Sequence, residues 1–504
     1  MIPRLDEAFR DFLDTDLDAY FERAAHLGTA GGRLQQFHEA AATVPAYAQF
    51  LEEHGIETAD VASISDFQKI PPVTRENYLL KYPLSDLCRN GDLAACDMIA
   101  VSSGSTGKPG FWPRTAQDEL GVARRFEQIF RDGFGIEPHG KSVLAVVCFA
   151  LGTWVGGMYT AACCRHLAAR GYRITVITPG SNQDEIFRTV QDLALSYDTT
   201  VLLGYPPFLK NVIDTGAAQG INWALYNIRL VMAGEVFSEE WRSLMAERTG
   251  LATEEINHFA ASMYGTADAG VLGVETPISV AIRRFLAQKP EVARILFGES
   301  RLPTLVQYDP ASRSFEKQDG RMLFTGRNGI PLVRYDILDN GGLFGYEELL
   351  SAVQKQGFEL PAALKQTTVR VLPFVYVFGR SNFTVSYFGA NIFPENITVG
   401  LEQPGIREWT TGKFVLETGE DADRMLQLRV TVEMATGEAP TEERAQLAAA
   451  SIKTHLERLN SEFLNYAPAE YRMPLVVLRA MGDPEYFPVG IKHRYTRAVA
   501  PQGS

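Results

Sequence analysis

The sequence predicts an α/β protein: a large N-terminal domain of β-sheets flanked by helices, followed by a small α+β domain. Three observations carry this. At 504 residues the chain exceeds what one core holds, since single cores rarely grow beyond ~250–300 residues. Between residues 95 and 330 short β-rich runs alternate with helical stretches. After Phe378 the texture changes to two strand runs, a long amphipathic helix and a final strand. The large domain is placed at 1–379, a hinge at 380–382 and the small domain at 383–504.

The first 70 residues have helical periodicity, with Leu13, Leu17, Tyr20, Phe21 and Ala24 at three-to-four spacing, then Leu34, Phe37, Ala41 and Val44 before Pro45. Ile70-Pro71-Pro72-Val73 is a rigid linker, and Thr74 is the N-cap of a helix start. Ser142 to Cys148, Arg173 to Ile177, Thr199 to Leu203, Ile228 to Met232 and Met322 to Thr325 read as strands, with Gln183 to Ala194 and Ser238 to Arg248 as helices between some of them. That alternation predicts a largely parallel sheet whose ligands sit at the carboxyl ends of its strands. In the small domain Phe414 to Glu417 and Leu426 to Glu433 read as strands, a helix lies within 441–466, and Pro474 to Arg479 is the last strand.

Composition narrows the function. A net charge of −13 and the lack of a Lys/Arg block exclude nucleic acid as the main partner. Cys88, Cys96, Cys148, Cys163 and Cys164 are odd in number and lack Cys-x-x-Cys spacing, which predicts a reducing, cytoplasmic setting and no zinc site. Cys163-Cys164 reads as buried helix packing. The N-terminus turns acidic at Asp6 and Glu7, unlike a signal peptide, and the apolar run Val143 to Tyr159 falls short of the ~20 residues that span a bilayer. No membrane partner is expected. Oligomeric state is left open, a homodimer included.

The chemistry begins at Ser102-Ser103-Gly104-Ser105-Thr106-Gly107-Lys108-Pro109, just after Met98-Ile99-Ala100-Val101. Glycines let backbone N–H groups approach an anion, hydroxyls add donors and Lys108 adds a mobile positive charge, so the run reads as a polyphosphate cradle. It is not a Walker A loop, because Ser102 stands at the first glycine position and Pro109 replaces the magnesium-binding hydroxyl. Further along, Met232-Ala233-Gly234-Glu235 is a strand-to-helix turn able to press its backbone on a flat ring. Met263-Tyr264-Gly265-Thr266-Ala267-Asp268 gathers an aromatic, a hydroxyl and an acid, and Val333-Arg334-Tyr335-Asp336-Ile337-Leu338-Asp339 ends in an acid suited to ribose hydroxyls.

With Phe388-Gly389-Ala390-Asn391 opening the small domain, and with Val44-Pro45-Ala46-Tyr47 and Ile70-Pro71-Pro72-Val73-Thr74-Arg75-Glu76 near the start, the ordered motifs resemble the phenylacetate–coenzyme A ligase branch of the adenylate-forming superfamily over nearly the whole chain. The resemblance implies an adenylate-forming large domain and a small mobile lid domain. It implies ATP, Mg2+ and coenzyme A as cofactors and co-substrates, and a small carboxylic acid as substrate, taken here as aromatic. Ser102, Ser103, Gly104, Ser105, Thr106, Gly107 and Lys108 then hold phosphates, and Ala233, Gly234 and Glu235 pack on adenine. Glu235 fits a solvated acid beside a helix start equally well. Tyr264, Gly265 and Thr266 border the nucleotide, and Tyr264 also the acyl site. Asp268 replaces the family glutamate that binds magnesium, Asp339 matches the ribose acid, and Arg380 matches the hinge arginine. Asp339 also fits a turn acid ahead of Asn340-Gly341-Gly342. Lys492, in Gly490-Ile491-Lys492-His493-Arg494, matches the catalytic lysine with one residue inserted; it joins Lys108, Thr106 and Asp268 as the catalytic set. Phe149, Trp154, Tyr205, Phe259 and Tyr264 are expected in the acyl pocket.

Two departures stand out. Asp336 reverses the charge of a family arginine, and Ser381-Asn382 replaces the acidic pair of the hinge. These bear on the second half-reaction and the domain swing, and three readings of function stand: transfer of the activated acyl group to coenzyme A; transfer to an amine or a carrier-protein thiol, motivated by the departures at Asp336 and Lys492; and a nucleotide-binding sensor or scaffold without catalysis.

Overall fold

The computed structural model describes residues 5–26, 29–102, 110–152, 155–299, 302–366, 369–380, 385–388, 390–420, 426–488, 493 and 495–496. At its centre is a sheet of eleven strands in two halves that differ in how the chain returns. In one half Ile174–Ile177, Val143–Val147, Thr199–Gly204, Ile228–Ala233 and Ala260–Thr266 lie side by side in that order, all parallel. Parallel neighbours need crossovers, which the helices Val155–Ala169, Gln183–Leu193, Pro206–Ala218 and Glu239–Arg248 supply. Helices cover both faces, so Val143–Val147 and Thr199–Gly204 are buried throughout and read as continuous apolar runs. Cys163 and Cys164 are buried in one of these helices, as their sequence context predicts.

The other half is antiparallel. Gly270–Val274, Thr304–Gln307, Phe374–Arg380, Leu332–Phe344, Arg321–Gly326 and Arg313–Gln318 continue the sheet in that order. The largely parallel sheet expected from the alternation therefore stops at Ala260–Thr266. A local signal for the change lies in Asp319-Gly320, whose φ values of 51° and 82° make the two-residue turn that joins antiparallel strands.

A separate hairpin pairs Met98–Ser102 with Gly110–Arg114. Residues 103–109 join its strands and lie outside the described residues. Helices Leu5–Asp14, Leu17–His26, Thr29–Thr43 and Pro45–Glu53 match the N-terminal periodicity; Leu17, Phe37 and Val44 are buried, while Leu13 faces out. Thr74 caps as expected, accepting from Asn77 N at 3.0 Å while its own N–H donates to Asn77 Oδ1 at 2.6 Å. The element it caps is a single wide turn, Arg75–Leu79.

Near the C-terminus Thr410–Glu420 pairs antiparallel with Leu426–Met434, and Leu475–Arg479 adds in parallel. Helices Pro394–Leu401 and Glu442–Leu459 cover this sheet around Phe414, Leu416, Val430, Val432, Ile452 and Leu456, an α+β arrangement. The expected hinge falls on Arg380, of which only the backbone is described, and on residues 381 and 382, outside the described residues. Among the described residues no helix is long and apolar enough to cross a membrane.

The C-terminal elements meet the rest of the chain through polar groups. Lys210 Nζ donates to the Thr410 carbonyl at 2.6 Å, and Ser238 Oγ donates to Glu402. Burial raises the Glu402 carboxyl from 4.5 to about 8, with Glu240 adding to the rise and Ser238 and Arg283 opposing it. The folded chain thus keeps a proton that an unfolded glutamate has released. The stability linked to that proton is full below pH 4.5 and is lost as pH rises through about 8. Glu402→Gln keeps a neutral group there, so its melting temperature relative to wild type should climb steadily between pH 4.5 and 8. A flat difference across that range would mean Glu402 is ionised in the folded protein.

Candidate active site

Three neighbouring parallel strands deliver the first group. Tyr205 follows Thr199–Gly204, Gly234 and Glu235 follow Ile228–Ala233, and Tyr264 to Asp268 end Ala260–Thr266, so all emerge at the carboxyl edge. Gly234 has φ of 90°, a region that favours glycine, and a Cβ there would lie 3.5 Å from the Tyr205 ring. The turn therefore lies close on that ring. Tyr205 Oη donates to Glu235 Oε1 at 2.6 Å. Burial, then the Glu235 charge, pushes the Tyr205 hydroxyl well above its ordinary range, so it remains a neutral donor.

The antiparallel half supplies the second group. Tyr264 Oη donates to Asp339 Oδ2 at 2.7 Å, and Tyr335 Oη donates to Asp268 Oδ2 at 2.5 Å. Both aspartates are buried, 5% and 7% exposed, and buried polar oxygens need such hydrogen-bond donors to offset the loss of water. Leu338 is bulged into the left-handed region at φ 66°, a strained setting for a leucine, immediately before Asp339. Asp339 then pairs with Arg380 in the strand register.

Asn340-Gly341-Gly342 is not the turn its composition suggests; it continues the strand Leu332–Phe344. A Cβ on Gly341 would sit 2.1 Å from the Tyr376 carbonyl, so glycine is needed for close approach of the neighbouring strand. The reversed charge at Asp336 is also resolved. Arg321 Nη1 donates to its Oδ2 at 2.8 Å and the Leu338 N–H to its Oδ1 at 2.9 Å, which neutralises the acid locally.

Sequence reasoning missed Tyr335 as the partner of Asp268, although Tyr335 stands in the motif that ends at Asp339. It also missed Arg114, 2% exposed, which donates to the Ala267 and Asp268 carbonyls, the latter at 3.2 Å. Arg114 ends the hairpin strand Gly110–Arg114, so one guanidinium ties that hairpin to the Asp268 turn. Nothing in its local sequence signals this.

Asp268 bears on magnesium. Among the described residues no group of three or more His, Cys, Asp or Glu could hold a metal ion. Asp268 accepts from Tyr335 on one oxygen and from the Ala269 N–H, at 3.1 Å, on the other, which leaves lone pairs on both. That donor set fits a magnesium ion bound by one carboxylate, with phosphate and water as its other ligands.

Not every expected residue gathers here. Phe259 precedes its strand at the opposite, amino end, is fully buried and packs with Leu230, Ile256 and Ala260, so it is withdrawn from the acyl pocket. The reason is directional: Tyr264 lies five residues further along a strand, ~17 Å away. Phe149 follows Val143–Val147 at the carboxyl edge, half-buried, its ring 3.6 Å from where a Gly156 Cβ would be. Ser103, Gly104, Ser105, Thr106, Gly107, Lys108, Trp154 and Lys492 lie outside the described residues, and of Ser102 and Arg380 only the backbone is described.

Comparison with protein-family models and with curated proteins gives no match. Comparison with solved structures gives similarity to 2-hydroxyisobutyryl-CoA ligase in the postadenylation state in complex with R3-HIB-AMP, at TM-score 0.60 and 14% identity, covering 100% of this chain and 94% of that one. The same ligase in complex with 2-HIB-AMP is similar at TM-score 0.59 and 14% identity, with the same coverage. At such identity the likeness establishes the fold, and it does so over the whole chain: an α/β protein with the architecture of that ligase.

Proposed function

We propose that the protein activates a carboxylic acid with ATP as an acyl-adenylate and transfers the acyl group to the thiol of coenzyme A. The observation that carries this is the pair of buried, tyrosine-bonded aspartates, Asp268 and Asp339, at the carboxyl edge of a sheet whose fold matches a ligase solved with an acyl-AMP. In the first step a carboxylate oxygen bonds to the α-phosphorus and the bond to pyrophosphate breaks. In the second, the thiol displaces AMP from the acyl carbon and gives up its proton.

Asp339 accepts from the ribose hydroxyls, and the turn Ala233-Gly234-Glu235 lays its backbone against adenine. Tyr264, Gly265 and Thr266 border the nucleotide. Ser102 to Lys108 hold the phosphates, Arg380 contacts the nucleotide at the hinge, and Lys492 neutralises charge between the carboxylate and the α-phosphate. Mg2+, when bound, offsets phosphate charge, and Asp268 is its protein ligand. Residues 1–379 and 383–504 act as two domains joined at 380–382. Phe149, Trp154, Tyr205 and Tyr264 line the acyl pocket, which suits a planar aromatic acid. The Asp336–Arg321 pair removes one reason for favouring an amine or carrier thiol as acceptor.

The test is acid-dependent pyrophosphate release from MgATP with aryl, arylacetic and aliphatic acids, with and without coenzyme A. Release that needs an acid, a thioester in the presence of coenzyme A, and a deep loss in Lys492→Ala are expected. An adenylate without any thioester would move the acceptor to an amine or carrier thiol. ATP binding with no release for any acid would favour the sensor reading.

A further inference from the structure

We propose that the Glu235 side chain is a docking latch that positions residues 493 and 495–496 at the carboxyl edge of the parallel strands by gripping Tyr495. The proposal rests on the activity proposed above, because Tyr495 lies three residues after Lys492 in the chain.

Glu235 is reached from two sides. Tyr205, on the large sheet, donates to it at 2.6 Å, and the Tyr495 hydroxyl hydrogen-bonds the same carboxylate. Tyr495 is itself well anchored. Its carbonyl accepts from the Leu416 N–H at 2.7 Å, and Thr496 bridges to Leu416 in parallel register. Its ring lies 4.9 Å from Phe414 and 4.5 Å from His493, whose Nε2 donates to the Phe414 carbonyl at 2.7 Å. Residues 493 and 495–496 thus lie along Thr410–Glu420, and the outermost group of that assembly ends on Glu235. The same strand is tied a second time where Lys210 donates to the Thr410 carbonyl.

The chemistry suits a latch. A carboxylate taking two phenol donors makes charge-assisted hydrogen bonds, stronger than neutral ones and dependent on geometry. Both phenols are held well above their ordinary pKa by burial and by Glu235, so both keep the proton they donate. The backbone of the Gly234 turn stays available to the nucleotide while the Glu235 side chain serves the docking contact. Glu235 and Tyr495 are therefore positioning residues: they act through the segment they hold.

The test uses the full chain with Tyr495→Phe, Tyr205→Phe and Glu235→Gln. Tyr495→Phe should lower kcat for acid-dependent pyrophosphate release about tenfold, with KM for ATP unchanged. Tyr205→Phe should do less, and the double variant Tyr495→Phe/Glu235→Gln should be no worse than the more severe single one. Hydrogen exchange at the Leu416 amide, read without any ligand, should quicken in Tyr495→Phe and Glu235→Gln. A Glu235→Gln enzyme with raised KM for ATP and unchanged kcat would overturn the proposal and make Glu235 a nucleotide contact. Unchanged exchange at Leu416 in both variants would overturn it as well. Faster exchange in a protein that releases no pyrophosphate with any acid would support the latch while the proposed activity fails.

Discussion

Asp339→Ala should lower kcat/KM for ATP in acid-dependent pyrophosphate release by about 10²–10³-fold, since each charge-assisted hydrogen bond to ribose contributes ~1.5–3 kcal/mol. The loss should fall on ATP, with KM for the acid little changed. Asp339 is buried and accepts from Tyr264 on one oxygen, and a carboxylate has several lone pairs with which to accept from a ligand hydroxyl as well. Tyr264→Phe should cost about tenfold, because it leaves the carboxylate in place and removes only the group that orients it. The measurement is steady-state kinetics with ATP varied at saturating acid. If Asp339→Ala keeps wild-type kcat/KM for ATP, the nucleotide binds elsewhere.

The second large effect concerns the foundation under the site. Arg242→Met should destabilise the protein by ~3–5 kcal/mol, the cost of breaking a buried ion-pair network in which Glu275 is then left with Arg283 alone, 3.7 Å away. Arg242 is wholly buried on the helix Glu239–Arg248; its Nε donates to Glu239 at 2.8 Å, and its Nη2 to the two oxygens of Glu275 at 2.9 and 3.0 Å. Glu275 also accepts from the Ser262 N–H at 2.8 Å, and Arg242 Nη1 donates to the Ala260 carbonyl at 2.6 Å. One guanidinium therefore joins the helix after the Gly234 turn to the strand Ala260–Thr266 that carries Tyr264. Urea unfolding followed by the fluorescence of Trp241 and Trp223 reads the loss. Replacing Glu275 by Gln in the same chain should recover part of it, because Glu239 then keeps its pair with Arg283 at 2.7 Å and one buried negative charge is removed with the lost positive one. A single variant as stable as wild type would mean the network adds nothing.

Much of the architecture was legible because its signals are local. The apolar runs of Val143–Val147 and Thr199–Gly204, the caps Thr74 and Ser238, and the switch to α+β texture after Phe378 depend on residues within a few positions of one another. The antiparallel half was harder. The Asp319-Gly320 turn went unread, and Asn340-Gly341-Gly342 looked like a turn and is strand, because the closeness of Tyr376 that demands glycine comes from another strand. Phe259 shows the same limit: its residue type suits a pocket, and only the direction of its strand puts it at the wrong end.

By itself the sequence determined the N-terminal helices, four strands of the parallel half and the helices Gln183–Leu193 and Glu239–Arg248, that the chain is an α/β protein, and that Tyr205, Glu235, Tyr264, Asp268 and Asp339 stand at strand exits or in strands. Only the tertiary structure decided who meets whom. Tyr264 bonds Asp339 across 75 positions and Tyr335 bonds Asp268 across 67. Arg321 cancels the charge of Asp336, and Tyr495 reaches Glu235. Such pairs follow from strand order and register across the sheet, and a single slip of register turns every side chain to the other face. Local periodicity says which face is apolar; it does not say which distant strand will lie beside it.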